Sequence, residues 1–170
     1  MFLNIIKSLL TNNVQIKDFY EPLLNILNTI KNDSTLPIED FININLNNDE
    51  TSNSIVVFLR YLTSSFIRLK SDDYLPFLFA YEGNLPLDEM GMPDINQFCQ
   101  REVESFGKEA DHIQMSALSQ ALNVKINLCY LDSSQKNDEQ VDWHTIGENS
   151  NENINVNLLY RPGHIDLICN

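Results

Sequence analysis

Val124-Lys125-Ile126-Asn127-Leu128-Cys129-Tyr130-Leu131 is where the chain changes period. Apolar side chains fall at every second position, the repeat of a strand with one buried face. Upstream, the apolar residues recur at three and four instead. Residues 2–11 and 16–31 read as helices, the second with Ile16, Phe19, Tyr20, Leu23, Leu24, Leu27 and Ile30 along one side. Pro22 interrupts that stripe and predicts a kink, or a break with a new start at Glu21. Pro37 opens a short helix ending near Asn47. Ile55, Val56, Leu59, Leu62, Thr63, Phe66 and Leu69 predict the strongest helix, over 52–70, with a shorter one over 72–80. The glycines and prolines from Gly83 to Pro93 mark a loop, and 94–103 a short helix. Asp111, with Gln114 three residues on, forms a capping box for a helix through Met115, Leu118 and Leu122.

Downstream of the quoted stretch, 132–140 is a polar loop or hairpin tip. Val141 to Thr145 is a short strand, 147–153 a second polar loop, and 154–160 and 164–168 are closing strands. Helices first and strands last, with no alternating strand–helix–strand unit, predict an α+β domain with an antiparallel sheet. A length of 170 residues fits a single domain, 1–170, with a real core.

The composition narrows the function. With 43% hydrophobic and 21% charged residues the chain is globular in type. Its net charge is -13, and no Lys/Arg cluster exceeds a pair. Nucleic acid is therefore a poor partner, since phosphate binding draws on dense positive charge. A neutral or basic protein suits this surface better. Cys99, Cys129 and Cys169 form no CxxC pair. That argues against a disulfide framework and a structural zinc site, and for a reducing cytoplasm or nucleus. The opening residues 1–10 lack a basic segment and a small-residue cleavage site, so no signal peptide is expected. No apolar run reaches membrane-spanning length.

Near the end, Leu158-Leu159-Tyr160-Arg161-Pro162-Gly163-His164-Ile165-Asp166 holds the chemistry. Positions two apart on a strand share a face, which sets the His164 imidazole beside the Asp166 carboxylate. An imidazole oriented by a carboxylate is the base half of a nucleophilic hydrolase site. The alternative is a merely structural histidine, which Asp166 on the same face argues against. A metal site needs a third ligand, and neither His112 nor His144 has supporting spacing. The attacker is harder to find. Cys99 lies mid-helix, where a free cysteine is usually core packing. Cys129 lies within a strand, buried or on the second sheet face. Cys169 has the opposite parity to His164, next to the terminus. None follows a Gly-containing turn at a helix start, where a thiol pKa is lowered. Ser64, Ser65, Ser116 and Ser119 lie in helices, with no nucleophile elbow.

Several of these segments resemble the otubains, OTU-type cysteine proteases that cleave isopeptide bonds to ubiquitin. They are Ile55-Val56-Val57-Phe58-Leu59-Arg60-Tyr61-Leu62-Thr63-Ser64, Phe98-Cys99-Gln100-Arg101-Glu102-Val103-Glu104, Lys108 to Gln114, Ala117 to Leu122, and the closing Leu158 to Asp166. The similarity runs in order from about residue 14 to the end. It implies a papain-like α+β fold, His164 as general base and Asp166 as its orienting carboxylate. It implies ubiquitin or polyubiquitin as partner, faced by Tyr74, Phe77, Arg101, Glu104, Lys108, His112, Gln114 and His144. Segment 53–61 resembles one that touches a ubiquitin-conjugating enzyme in some members. No cofactor or metal is implied.

The family's nucleophile belongs to an Asp-Gly-Asn-Cys-like motif that also supplies much of the oxyanion hole. Residues 1–170 contain no such motif. The expectation is a domain shortened at its N-terminus, as either a shortened gene product or a non-catalytic pseudo-enzyme. Loss of one oxyanion donor alone costs about 3–4 kcal/mol of transition-state stabilisation. This chain is therefore expected not to hydrolyse.

Overall fold

In the computed structural model, the residues described are 2–12, 14–32, 37–81, 85, 87–131, 142–147, 150–161 and 163–168. They form two compact units, Met1–Glu109 and Ala110–Asn170.

The first unit is helical. Its elements are α1 (Phe2–Asn12), α2 (Val14–Asn32), α3 (Ile38–Phe41), α4 (Asp49–Leu69), α5 (Ser71–Phe79) and α6 (Ile95–Phe98). Two of them run on as π-helical turns, Ile42–Leu46 after α3 and Cys99–Val103 after α6. The Asn48 side chain caps α4 by accepting from the Thr51 amide at 3.0 Å, and Asp49 and Glu50 complement the helix dipole. Helix α4 is the spine of the unit: Phe58, Leu62, Thr63, Ser64, Phe66 and Ile67 are all buried. Helix α2 packs along it, with the Tyr20 ring tilted against Phe58 at 5.0 Å. No break with a new start at Glu21 occurs, because α2 is continuous through Pro22. Packing on α4 outweighs the missing backbone hydrogen bond, which costs about 3 kcal/mol in an isolated helix. Among the described residues of the 83–93 loop, Asp88 organises a turn. Its Oδ1 accepts from the Met90 and Met92 amides at 2.8 and 2.9 Å.

The second unit is α7 (His112–Leu122) followed by β1 (Val124–Tyr130), β2 (Asp142–Ile146), β3 (Asn151–Arg161) and β4 (His164–Ile168). The capping box is present: the Gln114 Oε1 accepts from the Asp111 amide at 3.2 Å. Asn123 ends α7 in the left-handed region (φ 56°) and turns the chain directly into β1. Ile126, Leu128 and Ile146 form the buried core of this unit, with Met115 of α7 and Leu158 and Tyr160 packed against them.

The sheet order is β2-β1-β3-β4. β1–β2 and β3–β4 are antiparallel as expected, but β1–β3 is parallel, which corrects the all-antiparallel expectation. The reason is topological. β2 reverses β1, β3 reverses β2, and β3 lies on the far side of β1 rather than beside β2. The turn at Gly147–Ser150 therefore passes the start of β1, where Asn151 N–H donates to the Asn123 side chain at 3.2 Å. The parallel pairing absorbs the change with a bulge between Val124 and Lys125. No helix among the described residues is long and apolar enough to cross a membrane.

Candidate active-site base

Arg161 and His164 pair across β3 and β4, leaving two residues for the turn between them. Gly163 takes φ +77°, a backbone conformation that glycine adopts without steric cost. Register places Leu159, Arg161, His164 and Asp166 on one face of the sheet. Leu158, Tyr160, Ile165 and Leu167 lie on the other, which bears the α7-covered core. The parity expected from sequence holds. His164 Nε2 lies 2.8 Å from Asp166 Oδ1, and both side chains are about half exposed (56% and 47%).

A carboxylate only accepts hydrogen bonds, so Nε2 carries the proton of the contact and the Nδ1 lone pair is left to act as base. The hydrogen bond from His164, opposed by desolvation and aided by Arg161, holds the Asp166 carboxyl below its ordinary value. A native pKa below the unfolded one stabilises at pH values above the unfolded pKa. The contribution is lost as pH falls through the native pKa. The Asp166 carboxyl carbon, followed by NMR, is therefore expected to titrate below the ordinary aspartate range near about 3.9. A midpoint at or above that value would contradict the contact.

Both thiols among the described residues, Cys99 and Cys129, are buried. Cys99 is fully buried in the first unit, and its Sγ lies 3.7 Å from the Ser64 carbonyl oxygen. Burial pushes its thiol up to about 11, with Arg68 and the Ser64 contact only partly opposing. Cys129 is buried in β1, in the same cross-sheet row as Leu159 and Asp166. It shares the face of the base, but Leu159 stands between, and two strand spacings of ~4.8 Å separate the backbones. Cys169 lies outside the described residues. Among the described residues no cluster of three His, Cys, Asp or Glu side chains could hold a metal ion.

The residues that sequence resemblance assigned to a ubiquitin-facing surface fall in both units. In the first, Phe77 projects from α5, exposed, whereas Tyr74 is buried edge-on against Phe66 at 6.4 Å. Glu104 Oε1 takes Arg68 Nη1 at 2.6 Å and also accepts from Ser64. Arg101 is exposed on the π-helical turn. Lys108 Nζ sits 3.0 Å from Glu102. Arg60, from segment 53–61, reaches back to donate to the Val103 carbonyl at 2.9 Å and to the Lys108 carbonyl, pinning both ends of 103–108. In the second unit His112 is exposed at the start of α7 and Gln114 is buried in the capping box. His144 is exposed on β2, its ring 5.0 Å from Tyr130. Tyr74 and Gln114 are thus buried rather than presented to solvent. Sequence reasoning missed Arg161, whose Nη2 lies 3.4 Å from Asp166 Oδ2. The signal was present, since residues flanking a two-residue hairpin turn pair across it.

A carboxylate-oriented imidazole beside a sheet-edge turn is the base arrangement of nucleophilic hydrolases. The chain belongs to the otubain family, peptidase C65, whose profile matches residues 3–170. It is similar to ubiquitin thioesterase OTUB1 of Homo sapiens, 32% identical over 153 residues that cover 90% of this chain and 50% of that protein. The otubain-like ubiquitin thioesterase of Caenorhabditis elegans is 31% identical over 153 residues, covering 89% and 49%. Among solved structures, h/ceOTUB1 with ubiquitin aldehyde and UBC13~Ub superposes with a TM-score of 0.70 at 29% identity. That match covers 91% of this chain and 56% of that one. The OTU-type α+β fold implied by the sequence is therefore the fold observed. The chain spans about half the length of the curated relatives it matches.

Proposed function

We propose that this chain is the ubiquitin-recognising, base-bearing part of an otubain-type deubiquitinase, acting in a reducing cytoplasm. The family match spans both units, which supports one otubain-like domain. His164 serves as general base through Nδ1: it takes the proton of an attacking thiol and returns it to the leaving lysine amine. Asp166 fixes the ring and stabilises the imidazolium. The observation that carries this is the 2.8 Å His164–Asp166 contact, in a chain matched to the family over residues 3–170.

The partners are ubiquitin and, at α4, a ubiquitin-conjugating enzyme. The similarity to OTUB1 in complex with ubiquitin aldehyde and UBC13~Ub supports both. The buried positions of Cys99 and Cys129 favour a chain that, as residues 1–170, binds without cleaving.

Calorimetric titration with monoubiquitin, alongside a ubiquitin C-terminal fluorogenic amide, tests this. The expected outcome is saturable binding with no fluorophore release. Binding should weaken roughly 5–30-fold when Arg101→Glu and His144→Ala are combined, the range of a hot-spot loss. Absence of binding would count against the proposal.

A further inference from the structure

We infer that Arg161 is the positioning residue of the base: its guanidinium holds one Asp166 oxygen so that the other stays on His164 Nε2. This rests on the deubiquitinase reading and deepens it. The two carboxylate oxygens have different partners, Oδ1 with His164 Nε2 at 2.8 Å and Oδ2 with Arg161 Nη2 at 3.4 Å. Asp166 is half exposed, on an edge strand of the four-stranded sheet. The side chain of a half-exposed aspartate has several staggered χ1 wells open to it, so a single hydrogen bond leaves it free to swing toward water. A second anchor on the opposite oxygen removes that freedom.

The anchor is placed by the fold. Arg161 is the residue registered opposite His164, and both point to the face of Asp166. The neighbouring β3 positions on this face, Leu159 and Asn157, carry no charge. Among the described residues, His164 and Arg161 are the groups that lower the Asp166 carboxyl. A stabilising salt bridge is a weak account of this pair, since both groups are solvated and such pairs contribute little to stability. Orientation of the imidazole is what the geometry provides.

The test uses the whole isotope-labelled chain with Arg161→Gln and Arg161→Lys, and no ubiquitin. Three-bond couplings report the Asp166 side-chain rotamer, carboxyl carbon shifts its titration, and cross-strand NOEs the integrity of the hairpin. The unmodified chain is expected to show one rotamer. R161Q is expected to average the rotamers and move the midpoint upward with the hairpin intact. R161K, which keeps the charge but lacks the planar fork, is expected to keep the low midpoint while averaging the rotamers. An R161Q chain with the same rotamer and midpoint as the unmodified one would overturn the inference. Failure here leaves ubiquitin recognition untouched, because no step of the test involves ubiquitin.

Discussion

Replacing Gly147 by alanine is expected to destabilise the second unit by about 3–5 kcal/mol. Three costs fall on one atom. The residue sits at φ +79°, where an L side chain costs about 1–2 kcal/mol. An added Cβ would collide with Ser119 Oγ, and would lie 2.9 Å from Ser150 Oγ and 3.1 Å from the Val124 carbonyl oxygen. The last is backbone and cannot rotate away. Ser119 is itself fully buried and donates to that same carbonyl at 2.6 Å, so displacing it strands a buried polar group. Gly163 is the internal control. Its φ of +77° carries the same conformational cost, but a Cβ there meets nothing within 4 Å. Gly163→Ala should therefore cost only about 1–2 kcal/mol. Urea unfolding followed through Trp143, the single tryptophan, reports on this unit. Equal midpoint shifts for the two variants would contradict the proposed role of the Gly147 crossing.

That crossing shows where the sequence was legible and where it was not. Periodicity located the helices and strands because each has one buried face, as in the alternation from Val124 to Tyr130. It said nothing about which strand lies beside which. The parallel β1–β3 pair depends on a non-local choice, made at a turn that clears Val124 only because Gly147 has no side chain. Of the two readings of Pro22, the break with a new start fails because packing on α4, invisible in a local window, outweighs a local penalty. The His164–Asp166 pair was readable because strand parity is a local rule. The ion pair of Glu104 with Arg68, and the hold of Arg60 on 103–108, join residues 36 or more apart and carry no local signature. Cys99 as core packing followed from its place in a helix and is what the structure shows.

The sharpest consequence concerns the thiols. Nucleophilic attack requires a thiolate, and raising Cys99 from an ordinary 9.0 to about 11 lowers its thiolate fraction near neutral pH about a hundredfold. Burial then denies the remainder access to an electrophile. Cys129 is buried, and Leu159 stands between it and Asp166 in their shared cross-strand row. The most direct measurement is incubation of the folded chain with ubiquitin carrying a thiol-reactive electrophile at its C-terminus, followed by intact-mass analysis. The expected result is a non-covalent ubiquitin complex with no adduct, because both thiols among the described residues, Cys99 and Cys129, are buried. A ubiquitin adduct at Cys99, Cys129 or Cys169 would contradict it.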